Sequence, residues 1–208
     1  MELLVLHIPG LSARLLRDQG AAAVDLARVG GEGAAATLVN LEGASRQQQE
    51  AALLTGLLPE YLGAFGGGVG PCRAEPFWVK AAARRTSLHS RVRTMLPLPA
   101  EWQAGATEPH LRWETLEQVA IGGASRDTLH AANALARPWI EQAQAVVVVS
   151  AWSIDKRGRL ATSRCEPLDR PVLLTRGIDQ AKATIGILEI AGLLERALTG
   201  EVVRDRLP

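Results

Sequence analysis

Apolar residues fall along this chain in short bursts separated by turn-forming residues. Leu3-Leu4-Val5-Leu6-His7-Ile8 is nearly continuous and runs into Pro9-Gly10, the pattern of a buried parallel strand entering a turn. Ser12 is placed to cap a following helix with Leu11, Leu15 and Leu16 on one face. The glycines of residues 30–33 predict a break, and residues 34–41 a second strand. Residues 43–58 read as a loop and then a helix. Ser45 is the cap, Gln48 stands three residues on, and Leu53, Leu54, Leu57 and Leu58 form the apolar face. The glycine-rich stretch 63–71 is a loop by composition.

Residues 75–85 predict a helix with Phe77, Trp78, Ala81 and Ala82 inward, and 88–96 an imperfectly alternating strand. Residues 97–124, with their cluster of prolines, predict a long loop or a reduced insertion. Residues 125–144 form the strongest helical pattern, capped by Ser125, with Pro138 expected to kink or break it. Residues 145–150 carry four consecutive valines, the mark of a central strand apolar on both faces. Asp155 to Gly158 reads as a turn, 159–163 and 172–175 as strands, and 184–198 as a closing apolar helix. Strands alternating with helices point to one α/β domain over residues 1–208, with three layers and a mostly parallel sheet covered on both faces. Ligands in such sheets bind beyond the carboxyl ends of the strands. The loops at Pro9-Gly10, Glu42 to Arg46 and Ser150 to Asp155 are therefore the places to look for a site.

Composition narrows the function classes. Lys plus Arg is 23 against 22 for Asp plus Glu, a net charge of +1, which gives no field to gather nucleic acid or an anionic membrane. The longest apolar run, Ala145 to Val149, is far short of the roughly 20 residues that span a bilayer. No basic segment precedes Leu3, so no secretory signal is expected. Cys72 and Cys165 make neither a disulfide framework nor a metal knuckle and read as reduced thiols. The expectation is a cytoplasmic protein with neither nucleic acid nor membrane as partner.

Three segments carry a family resemblance. Residues 51–63, AALLTGLLPEYLG, resemble the A-T-L-L-T-G-L-x-P-E-x-H-G signature on the helix behind the nucleophile in the type I phosphodiesterase/nucleotide pyrophosphatase branch of the alkaline phosphatase superfamily. Residues 146–152, VVVVSAW, resemble the strand that ends V-V-V-S-D-H-G there, and residues 3–11 the first strand, which ends in a metal-binding Asp. A weaker match covers residues 116–125. The resemblance implies an alkaline-phosphatase-like core without a cap domain. It also implies two divalent metal ions such as zinc or manganese, held by Asp and His, which stabilise the attacking and leaving oxygens at phosphorus.

At the matching positions the ligands are missing. Pro9 stands at the first Asp, Ala151 and Trp152 at the Asp-His pair, and Leu62 at the His of the helix signature. Glu117 falls at an Asp position, but Ile121 falls at its companion His. Arg46 occupies the nucleophile position, with Ser45 beside it; His7, His89, His110 and His130 lie off the motif. The resemblance therefore implies a metal-free relative without a cofactor. It would act by binding a phosphate-bearing small molecule at Ser45 and Arg46, or a protein partner. Trp152 either lines the pocket or fills the core where metals would sit. The alternative is a phosphoesterase with a rearranged site near Ser45 that uses Glu117, Asp155, Asp169 or a histidine from elsewhere. Ser45 as nucleophile needs a base, and no sequence neighbour offers one.

Overall fold

The computed structural model describes residues 3–62, 75–82, 88–91, 111–157, 159–161 and 164–199. Strands β1 (Leu3–His7), β2 (Ala34–Val39), β3 (Leu88–Arg91), β4 (Leu111–Thr115), β5 (Ala145–Val149), β6 (Val172–Arg176) and β7 (Thr184–Gly186) form one sheet in the order β3-β4-β1-β5-β6-β2-β7. Only β6 runs against its neighbours; the other pairings are parallel. The valines make β5 central, between β1 and β6, with Val146 to Val149 fully buried. His7 pairs with Val149 on one side and Thr115 on the other, so β1, β4 and β5 end at one level.

Helices cover both faces, completing the expected three layers. The helices are α1 (Ala13–Gln19), α2 (Val24–Glu32), α3 (Arg46–Thr55), α4 (Phe77–Ala82), α5 (Gln118–Gly122), α6 (Arg126–Gln142) and α7 (Glu189–Thr199). One core unites α3, α4 and α7 with the sheet through Leu53, Phe77, Trp78, Trp113, Ile190 and Leu194. The other unites α1, α2, α5 and α6 through Leu15, Leu26, Val119, Leu129 and Ile140. Among the described residues no helix is long and apolar enough to cross a membrane.

Several expectations are corrected. The break placed at residues 30–33 is the last turn of α2, with Glu32 still helical. Gly30 is there for contact: a Cβ on it would stand 3.1 Å from the Leu174 side chain, so its smallness lets α2 lie close on β6. The α2 N-terminus is capped from a distance: Asn133 Oδ1 accepts from the N–H groups of Asp25 and Leu26, and its Nδ2 donates to Asp25 Oδ2. Such a cap has no local sequence signature.

Within residues 97–124, expected as a long loop or a reduced insertion, residues 111–115 are strand β4 and 118–122 helix α5; residues 97–110 lie outside the described residues. Trp113 and Leu111 bury one face of β4, and the parallel pairing to β1 outweighs the mixed local pattern. Pro138 does not break α6, which runs unbroken with Ala132, Ala136 and Ile140 buried on either side of it. The closing helix starts at Glu189, because Thr184 to Gly186 pair with β2. Of the strand expected at 159–163, the described residues 159–161 show a bridge between Leu160 and Ile154, and residues 162 and 163 lie outside the described residues. The glycine-rich loop 63–71 lies outside the described residues, apart from its approach through Leu62.

Candidate functional site at the carboxyl ends of β1, β5 and β2

Helix α3 begins at this edge of the sheet. Ser45 is its N-cap in extended backbone, and the S-x-x-Q spacing closes a capping box: Ser45 Oγ accepts from the Gln48 N–H at 3.3 Å, and Gln48 Oε1 accepts from the Ser45 N–H at 2.7 Å. Both of these Ser45 bonds serve the helix start, so the hydroxyl has a structural role, and among the described residues no His, Asp or Glu side chain bonds to it. At the far end Gly56 ends α3 with φ of +71°, a left-handed conformation that glycine adopts without penalty. Gln49 is fully buried and binds the Leu41 backbone twice, accepting at its N–H and donating to its carbonyl. That clamp fixes the loop between β2 and α3.

The β5 end comes up from below. Ser150 Oγ donates to the Trp152 carbonyl at 2.6 Å, and the Gly10 N–H donates to the same oxygen at 2.9 Å. These bonds lock residues 150–152 against the turn after β1. Trp152 is only 3% exposed, and Arg46 lays its guanidinium over the indole, 4.1 Å from the ring centroid. Of the sequence candidates, the fold therefore brings Ser45, Arg46 and Trp152 together. Glu117 is placed elsewhere, at the start of α5, lining a separate hollow with Thr115, Gln118, Asp127 and Thr128.

His7 closes β1 within the same core face. It is 3% exposed, its ring centroid lies 5.9 Å from that of Trp113, and Nε2 accepts from the Ala151 N–H at 3.4 Å. Burial lowers its pKa to about 3, so the imidazole is neutral and acts as a backbone acceptor. Two buried polar groups on this edge have no hydrogen-bond partner among the described residues: the Trp152 indole N–H and both amide atoms of Asn40, which follows β2. Sequence patterning did not single out Asn40. Its only signal is a polar residue directly after an apolar strand.

The donor set does not fit the two metal ions that the resemblance implies. Pro9, Ala151, Trp152 and Leu62 supply no side-chain ligand, and His7 Nε2 is engaged by backbone. Among the described residues no three His, Cys, Asp or Glu side chains gather at one point. His89 and His110 fall where side chains are not described, and His130 is exposed on α6.

No protein-family model and no curated protein sequence matches the chain. Solved structures do. Murine ectonucleotide pyrophosphatase/phosphodiesterase 5, as an inactive variant in complex with AMP, is similar with a TM-score of 0.65 at 9% identity, over 96% of this chain and 95% of that one. The same mouse protein in a second structure gives a TM-score of 0.62 at 10% identity over the same shares. At that identity the likeness speaks for architecture, and it establishes that this chain has an alkaline-phosphatase-like α/β fold.

Proposed function

We propose that the chain is a metal-free, non-catalytic relative of the alkaline-phosphatase-superfamily phosphodiesterases that works by binding. The observation that carries this reading is Trp152 itself. A buried indole, roofed by Arg46, stands at the strand end where the resemblance calls for an Asp-His pair. An aromatic side chain there occupies volume and offers only a single N–H, which serves packing rather than coordination. The ligand class this reading favours is a phosphate-bearing small molecule. Arg46 lies in the first turn of α3, where the helix dipole adds to its charge, and the similar mouse protein holds AMP as an inactive variant.

The test is elemental mass spectrometry of tag-free protein dialysed against zinc and manganese, paired with hydrolysis of bis(p-nitrophenyl) phosphate. The expected result is no stoichiometric metal and no turnover. Retention of about two ions per chain, as a two-metal phosphoesterase requires, would overturn the proposal and favour a rearranged active site. In parallel, AMP titrated by calorimetry is expected to bind wild type. Arg46→Ala is expected to weaken that binding about tenfold, the loss of one charge-assisted contact. Equal affinity in both proteins would remove Arg46 from the site.

A further inference from the structure

Beyond β5 the chain makes an excursion, residues 153–170, before returning as β6. It encloses a hollow of about 540 Å³, within the range of small-molecule pockets. Neither Ser45, Arg46 nor Trp152 lines it, so it is separate from the site above. Its walls are charged, and the way those charges are engaged decides what it can hold.

The carboxylates are saturated. Asp155 accepts from the N–H groups of Arg157 and Arg159 at 2.8 and 2.9 Å and from the Arg159 guanidinium at 3.1 Å. Those bonds, led by the Arg159 N–H, hold its carboxyl below the usual range. Glu166 takes Lys156 at 2.6 Å and Arg14 at 2.8 Å, and Arg14 also pairs with the buried Asp169 at 2.6 Å. Each acid is paired with a cation, which offsets its repulsion of an incoming anion. Arg157 is left over: it is exposed, and its guanidinium makes no hydrogen bond or ion pair among the described residues. The Lys156 pair is exposed on both sides, so its ammonium can be redirected at little cost.

We infer that this hollow is a binding site for a small free phosphorylated molecule, with Arg157 and Lys156 as the principal contacts to its phosphate dianion. Arg157 supplies a planar fork matched to two phosphate oxygens, and Lys156 a point charge beside it. A single recess of this size suits one small dianion; a polymer needs a continuous basic track.

The probe is inorganic phosphate, titrated against the full chain at low salt and followed by ³¹P NMR and calorimetry. Wild type is expected to bind; Arg157→Ala and Lys156→Ala are each expected to weaken binding about tenfold. Arg137→Ala, on the exposed face of α6, is expected to leave it unchanged. Truncating Arg157 removes no described side-chain contact, so an unaltered thermal melt is expected and separates a binding loss from a folding loss. Absence of phosphate binding, equal affinity in Arg157→Ala, or loss in Arg46→Ala alone would each overturn the assignment. Binding of an oligonucleotide without binding of phosphate would overturn it too, and would recast the excursion as a nucleic-acid surface.

Discussion

Trp152→Ala is expected to destabilise the protein by about 3–5 kcal/mol, the range for removing a large buried aromatic side chain. Trp152 packs in the same core as Val149, Ala151, Leu53 and Ile187, and the void left behind lies under the first turn of α3, which the Gln49 clamp holds in place. Trp152→Phe is expected to cost less than about 1.5 kcal/mol, because it keeps an apolar ring and the indole N–H that it removes has no partner among the described residues. Urea denaturation of the three proteins gives both numbers. A cost below about 1 kcal/mol for the alanine variant would mean that the indole does not fill the core. The reading of Trp152 as a substitute for a metal centre would then fail with it.

His7→Gln is expected to flatten the acid side of the stability curve. The folded imidazole titrates at about 3 against 6.5 for the free side chain, because burial disfavours its charge. The unfolded chain therefore takes up a proton that the folded chain refuses. Stability from this group is complete above pH 6.5 and is lost as pH falls, by about 1.4 kcal/mol per unit, or about 2 kcal/mol by pH 5. The shifted carboxylates, Asp18, Asp155, Glu166 and Glu189, are all lowered, so their stability is lost only as pH falls through and below their ordinary range of 3.8 to 4.5. The window from pH 5 to 6.5 is thus free of those carboxylates. Glutamine keeps an acceptor for the Ala151 N–H without titrating there. Parallel wild-type and variant curves between pH 5 and 7 would show that His7 is not the group responsible.

What the sequence disclosed tracks how local each cause is. The valines of β5 and the apolar run of β1 announce themselves because both faces of a central strand are buried. Ser45 and Ser125 are readable as caps because a capping box closes within four residues. The misses have distant causes. Helix α2 continues through Gly30 and Gly31 because its start is capped from residue 133 and its end packs on β6. Strand β4 forms despite Arg112 and Glu114 because β1 pairs with it along its whole length, and the two charges bridge at 2.9 Å.

The site divides in the same way. The residues standing where the resemblance implies metal ligands are visible one by one. The stacking of Arg46 on Trp152 joins positions more than a hundred residues apart, and no periodicity encodes it. The charged hollow had a signal, the run of charge from Asp155 to Asp169. In one dimension that run reads as a solvated turn, since nothing local tells a saturated acid from a free one.

The reversed direction of β6 bears on how this protein can change. A parallel crossover must carry the chain back across the sheet, so its length is tied to the strands it joins. Because β5 and β6 are antiparallel neighbours, the excursion between them leaves and re-enters at one edge. Residues can be added to it or removed from it without displacing a strand, and loop closure grows only slowly dearer with length. The sheet is thus a fixed frame, and the excursion is a replaceable part mounted on it. New ligands can be acquired by rewriting this segment alone. Grafting it between antiparallel strands of another protein would carry its charged recess along.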